Sequence, residues 1–265
     1  MTSVLTTFPH RAEFEKAKRA LDGLRLSYGV ISPEPAFRLV GVPALLMDAE
    51  VESLLLQRYA GDLVCSGWVD ALASEPQAPQ SAPPEYEEDI FGTASISVLA
   101  RCVADRTKIR LIAQISGDLT GVFPYLNSEM KTACYNPRGP NLSFMDSYRM
   151  VSLYPRRVTI AKADGIVDAW RTLEMIRCRA NDVWLRRSQI EPSYEMRRKP
   201  PVLEIFQRLP RTNCRACGEL TCLAFAIRLY EGLASPGECR PVLDGPFERL
   251  AEPLAQICKG FGVYS

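Results

Sequence analysis

The sequence predicts an α+β protein: two small α/β domains followed by a small cysteine-centred domain near the C-terminus. Three observations carry that expectation. Short β-prone runs alternate with helix-period segments as far as about residue 190, two proline-rich seams interrupt them, and four of the nine cysteines crowd between residues 214 and 239. The first seam, residues 72–89 (LASEPQAPQSAPPEYEED), has no hydrophobic period and reads as a flexible, solvated linker. The second, residues 191–201 (EPSYEMRRKPP), ends one helical pattern and opens another segment. The expected domains are therefore 1–71, 90–192 and 202–250, with a tail over 251–265.

In the first domain SVLTTF reads as a short strand. Phe14, Ala17, Ala20, Leu21 and Leu24 then recur at helical spacing, with Gly23 and Gly29 bracketing the exit. YGVIS and FRLVGVPALLMD follow as strands parted by the breakers Pro33 and Pro35. This βαββ order resembles small ferredoxin-like domains, including those of sulfur or selenium carriers, though no carrier motif accompanies it.

The second domain opens with strand-like SISVLARCV and KIRLIAQIS. GDLTGVFPYLNSEM reads as a short helix, and PNLSFM and RMVSLYPRRVTIAKA return to strand character. The clearest element is a helix over about 165–187, with Ile166, Ala169, Trp170, Leu173, Ile176, Ala180, Val183 and Trp184 on one face. Arg171, Arg177, Arg179, Arg186 and Arg187 make much of its other side basic. With no Gly-rich phosphate loop and no aromatic-basic interleave, this reads as a core-packing face with a solvated back.

Bulk properties exclude several function classes. A formal net charge of +1 on 265 residues gives no global drive toward nucleic acid or acidic lipid. The N-terminus lacks an apolar signal core, and the most apolar window, VPALLMDAEVESLLL, is cut by Asp48, Glu50 and Glu52, so no membrane insertion is expected. An odd number of cysteines without framework spacing points to a reducing cytoplasm. The single histidine, His10, follows Pro9 and reads as a turn residue at a helix start; Asp118, Asp146 and Asp164 sit in turn-like surroundings. No catalytic constellation can be assembled from these, so no independent catalytic site is expected.

The chemistry concentrates in Cys214, Cys217, Cys222 and Cys239, spaced C-x2-C-x4-C-x16-C. Three thiols share one tight loop, with Gly218 supplying backbone freedom after the second. CLAFAIRLYEG reads as a helix from Cys222 that ends at Gly232, its positive end toward the thiols. Ten helical residues carry the chain about 15 Å away. The seven from Leu233 to Cys239 reach back up to roughly 23 Å, so the fourth thiol can return. Four soft thiolates suit zinc or an iron-sulfur cluster. Structural zinc usually brings two knuckles or a histidine, neither of which occurs here. A compact triplet with a remote fourth cysteine is a common iron-sulfur pattern, which makes one 4Fe-4S cluster the leading expectation and structural zinc the remote alternative.

The stretch NCRACGELTCLAFAIRLYEGLASPGECRPV resembles the four-cysteine 4Fe-4S domain of the corrinoid iron-sulfur protein large subunit, the acetyl-CoA decarbonylase/synthase gamma subunit and the Rnf complex B subunit. The matching positions are Cys214, Cys217, Gly218, Cys222, Phe225, Ala226, Cys239 and Pro241, within residues 202–250. The resemblance implies that the four cysteines bind a low-potential 4Fe-4S cluster. The barrel and cobalamin domains of the corrinoid proteins, and the extra cysteine runs of the Rnf subunits, are not found in the 265 residues. As a whole the chain resembles bacterial proteins described only as iron-sulfur-binding.

Around the cysteine loop, Arg208, Arg211, Arg215, Arg228 and Arg240 would stabilise the reduced form of an anionic centre, or be ordinary surface charges. Phe206, Phe225 and Phe247 would shield it from water. The basic segment Arg197 to Lys199 would form part of a docking face for an acidic partner. Cys65, Cys102, Cys134, Cys178 and Cys258 show no ligand spacing and read as small buried hydrophobes, with Cys102 and Cys134 the pair to inspect for a second site. Two functions remain open. One is an accessory protein for electron transfer or reductive activation of a protein partner. The other is a binding or assembly protein, for cluster or sulfur delivery, in which the cluster is a structural staple.

Overall fold

A computed structural model describes residues 3–59, 61–71, 76–103, 105–197 and 200–259. Its elements in chain order are β1 (Ser3–Thr6), α1 (Arg11–Leu24), β2 (Gly29–Ile31), β3 (Ala44–Asp48), α2 (Ala49–Tyr59), β4 (Trp68–Asp70), β5 (Ala94–Arg101), β6 (Ile109–Ile115) and α3 (Phe123–Glu129). There follow β7 (Cys134–Asn136), β8 (Asn141–Asp146), β9 (Arg149–Tyr154), β10 (Arg157–Ala163), α4 (Ile166–Leu185), α5 (Val202–Gln207), α6 (Cys222–Glu231), α7 (Arg240–Leu243) and α8 (Ala251–Lys259). The α+β class is as expected. The chain forms two compact units, residues 1–122 with 146–188, and residues 123–145 with 189–265.

In the first unit β1 to β4 form an antiparallel sheet of order β2-β3-β1-β4. The βαββ expected from the sequence is thus extended by α2 and β4 into the βαββαβ order of a ferredoxin-like domain. Phe14, Ala17, Ala20 and Leu21 of α1 pack with Val4, Phe8, Leu45, Met47 and Leu55 into one buried cluster. α2 was hidden in the sequence because of its apolar residues only Leu55 is buried, while Leu54 and Leu56 are exposed and blur the helical period. Residues 37–40, expected to belong to a strand, form turns ahead of β3.

A second antiparallel sheet runs β5-β6-β10-β9 within this unit. Its strands alternate as period-two patterning requires: Ile109, Leu111, Ala113 and Ile115 of β6 are buried, and Arg110 and Gln114 are exposed. Trp170 and Leu173 of α4 are fully buried. The two sheets are knitted by backbone contacts, with Leu99 N–H donating to Ser66 O at 2.7 Å and Ala94 N–H to Leu39 O at 2.8 Å. Both sheets fall within one compact unit.

Residues 84–89, expected from composition to be part of a solvated linker, are held against α4. Arg177 of α4 is fully buried, and its guanidinium donates to Pro84 O at 2.7 Å, to Asp89 Oδ2 at 2.5 Å and to Glu174 at 2.8 to 3.2 Å. Asn181 Nδ2 donates to Asp89 Oδ1 at 2.7 Å, and Tyr86 Oη to Asp182 Oδ1 at 2.9 Å. Residues 84–89 are therefore strapped across α4. The basic side of α4 is correspondingly not all solvated, since Asp168, Glu174, Arg177 and Asn181 are buried there. Composition sees proline and acid; it does not see the buried arginine that pairs with Asp89.

The second unit combines two separate stretches of chain. α3 and the β7–β8 hairpin come from the first. Arg197 of the later stretch bridges Tyr135 in β7, and its guanidinium donates to Asn127 O at 2.7 Å, Met130 O at 3.0 Å and Lys131 O at 3.1 Å. Asn127, fully buried, donates in return to Ser193 O and Glu195 O. The rest of the unit is built by α5, α6 and α8 around Ile205, Leu209, Phe225, Leu229 and Leu254.

Candidate metal centre

Everything that positions the four cysteines follows from the stretch after α5. Leu209 is buried, and residues 211–216 then run exposed as a loop. Within it Asn213 (φ 52°) and Arg215 (φ 63°) hold Cys214 between two left-handed residues, and Arg211 (φ 60°) is a third. Non-glycine residues in this region carry strain that persists only where the surroundings dictate it. Gly218 (φ 84°) meets the same demand without a Cβ, and its N–H closes a turn on Arg215 O at 2.9 Å.

The loop is tied to the helix that follows. Asn213 Oδ1 accepts from Cys222 N–H at 2.9 Å, satisfying a helix-start donor and drawing the first and third cysteines of the motif together. Thr221 caps α6 through Ala224 N–H at 3.0 Å, and Gly232 ends it at φ 74°, as the sequence predicts. A capping box between Ser235 and Glu238 then shapes the return, and Cys239 arrives at the start of α7. Asn213 was missed by sequence reasoning; the signal for it was an Asn, a residue that tolerates left-handed backbone, directly before the first cysteine.

The thiols span the range from solvent to core. Cys214 is exposed, Cys217 half-buried, and Cys222 and Cys239 are 8% and 5% exposed. The last two belong to the same apolar cluster as Phe225, Leu229, Val242 and Leu254, with Cys217 packed against it. The Ala216 N–H, despite some burial, holds the Cys214 thiol below its ordinary range. Burial pushes the Cys239 thiol up to about 11; the Val242 N–H opposes this, and the charges of Cys217, Cys222 and Cys214 add to it. Each of the other three cysteines is thus an electrostatic neighbour of Cys239. A cation bound among them would reverse that repulsion and hold all four as thiolates. Among the described residues no group of three or more His, Cys, Asp or Glu is arranged to hold a single metal ion.

The surroundings sort the other candidates. Arg208, Arg228 and Arg240 are paired with Glu204, Glu219 and Asp244, whereas Arg211 and Arg215 have no ion-pair partner among the described residues. Phe225 is buried, and Phe206 and Phe247 pack against the cluster-side core. Arg197 is committed to three backbone carbonyls and is not available to dock a partner; Arg198 and Lys199 lie outside the described residues. Cys102 follows β5, which pairs with β6, and Cys134 opens β7, which pairs with β8, so they are not on paired strands. Cys102 and Cys258 are buried, and Cys65, Cys134 and Cys178 are partly so. His10 precedes α1 and accepts Glu13 and Phe14 N–H on its carbonyl, and Asp118 caps the turn at Thr120.

Residues 209–241, which carry the exposed thiol loop and the two core cysteines, match the family described as "Putative Fe-S cluster". The particular relatives are much longer chains. The chain is similar to the corrinoid/iron-sulfur protein large subunit of Moorella thermoacetica, 45% identical over 64 residues, which is 23% of this chain and 14% of the relative. It is likewise similar to the acetyl-CoA decarbonylase/synthase complex subunit gamma 2 of Methanosarcina thermophila, 40% identical over 55 residues, covering 21% and 11%. The gamma subunit of Methanocaldococcus jannaschii is 36% identical over 63 residues, covering 23% and 13%. The shared segment is thus a small part of these relatives. No solved structure matches the chain. No helix among the described residues is long and apolar enough to cross a membrane.

Proposed function

We propose that Cys214, Cys217, Cys222 and Cys239 hold one 4Fe-4S cluster, and that the chain is an accessory protein exchanging single electrons with a protein partner. When bound, the cluster supplies one-electron uptake and release. The chain's own residues do the rest. Phe225, Leu229, Val242 and Leu254 exclude water from the inner side. Asn213 and Thr221 fix the loop to α6, and Arg211 and Arg215, exposed in the loop, favour the more negative, reduced state.

The observation that carries the electron-transfer reading is exposure. Cys214 faces solvent, and within the following segment Leu220, ahead of α6, and Leu223 and Ile227, on it, are 70%, 41% and 42% exposed. An accessible ligand flanked by uncovered apolar side chains suits transient contact with another protein. Two relatives named as subunits of a complex support a protein partner. The assembly or staple reading keeps one observation of its own, the seating of Cys222 and Cys239 in the apolar core.

Anaerobic purification followed by iron and acid-labile sulfide analysis tests the cofactor: iron and sulfide in about equal amounts are expected, and stoichiometric zinc without sulfide would refute it. Redox titration followed by optical absorption and electron paramagnetic resonance then separates the functions. Reversible cycling is expected; a cluster that breaks down on reduction leaves the staple reading in place.

A further inference from the structure

The four thiols are not equivalent. Residues 211–216 are all exposed, Cys214 among them, and Cys214 is held between left-handed Asn213 and Arg215. Cys222 begins α6 with its N–H fixed by Asn213, and Cys239 begins α7; both lie in the apolar core. Cys217 is intermediate on this scale.

Resting on the cluster reading above, we propose that the cluster is held asymmetrically, with Cys222 and Cys239 as fixed anchors and Cys214 as the outer ligand, the one released when an oxidant removes an iron. Release requires a side chain to leave iron and reach water. At Cys214 water is already present, and the strained loop can relax as the sulfur swings out. At Cys222 or Cys239 the freed thiolate would stand in apolar surroundings, where an unpaired charge is strongly disfavoured. Moving either sulfur would also disturb the start of a helix packed into the core.

The step balances. A dication four-iron core gives one electron to ferricyanide, which becomes ferrocyanide. The resulting trication core sheds one ferrous ion and leaves a three-iron monocation core with all four sulfides. The iron–sulfur bond to the released cysteine breaks, and its thiolate takes a proton from water.

The test uses the full chain, reconstituted anaerobically, with iron and sulfide measured first. Thiols accessible in the four-iron form are blocked with N-ethylmaleimide. Ferricyanide is then added to the point where electron paramagnetic resonance shows the three-iron signal, newly freed thiols are trapped with iodoacetamide, and the label is mapped by mass spectrometry. Label on Cys214 should exceed that on Cys222 or Cys239 by about tenfold, equivalent to about 1.4 kcal/mol. Label concentrated on Cys222 or Cys239, equal label on all four, or loss of the whole cluster without a three-iron stage would overturn the proposal. Cys214→Ser should retain sulfide where Cys239→Ser does not; should the latter fail to fold, the wild-type label map still decides. A preparation holding zinc and no sulfide ends the cluster reading itself, and the first measurement shows that before any oxidant is added.

Discussion

Arg177→Met should be the most destabilising single change in the first unit. The Arg177 side chain is 0% exposed, and its partners Glu174 and Asp89 are 11% and 23% exposed. The variant keeps much of the side-chain volume but strands two carboxylates that water reaches poorly. Removing one partner of a buried ion pair costs about 3–5 kcal/mol. At roughly 2–4 °C per kcal/mol for chains near this size, the unfolding midpoint should fall by about 6–20 °C. The same change removes the donors to Pro84 O and Asp89 Oδ2, so residues 84–89 should be held to α4 more loosely, through Asn181–Asp89 and Tyr86–Asp182. Thermal unfolding by circular dichroism reads the first effect, and the rate of limited proteolysis between residues 76 and 89 reads the second. Adding Asp89→Leu should deepen the loss, because Asp89 Oδ1 also accepts from the Phe91 and Gly92 N–H groups and from buried Asn181 Nδ2. A drop below about 1 kcal/mol with unchanged cleavage would show that the network does not carry this load.

Three further outcomes are expected. Asn213→Ala should slow iron-sulfide reconstitution most, Asn213→Gly less because it restores only the backbone freedom, and Asn213→Asp least because it keeps an acceptor for Cys222 N–H; any other order refutes the anchoring role. Phe225→Ala, at a position 1% exposed, should cost about 3–5 kcal/mol and hasten iron loss to a chelator, both measurable on one reconstituted sample. Although burial works against it, hydrogen bonds from Lys108 and Tyr148 hold the Asp164 carboxyl below the usual range. Its stabilising contribution is therefore complete above the ordinary carboxylate pKa and lost as pH falls through the depressed one. Urea midpoints of wild type and Asp164→Asn should differ at pH ~7 and converge toward pH ~2.

What the sequence disclosed depended on whether the cause was local. The α4 face was legible because Ile166 through Val183 repeat at helical spacing and are all buried, and α6 was legible because Cys222 and Gly232 mark its ends. The cysteine-rich segment was legible from its spacing, and residues 209–241 match the iron-sulfur family. The hold on residues 84–89 was not legible, since it comes from Arg177 almost ninety positions away. β4 escaped because three residues give no period, and its place is set by pairing with β1. Arg197 looked like free surface charge in a basic run, but the carbonyls it serves lie some seventy residues upstream. Long-range pairing, which no local pattern encodes, accounts for each of these.

The interleaved chain path of the two units sets an order of assembly during synthesis. Residues 123–145 leave the ribosome before residues 146–188, which belong to the other unit, and well before residues 189–265 that complete their own. At about 5–20 residues per second the intervening stretch alone takes roughly 2–9 s to make. Through that interval Tyr135, buried in the finished chain, stands without Arg197, which bridges it. The cysteine loop lies after residue 188 in chain order, so it emerges onto a chain whose first unit already has all its residues. A fragment cut at residues 202–250 would lack α3, the β7–β8 hairpin and all of α8, which belong to the same compact unit.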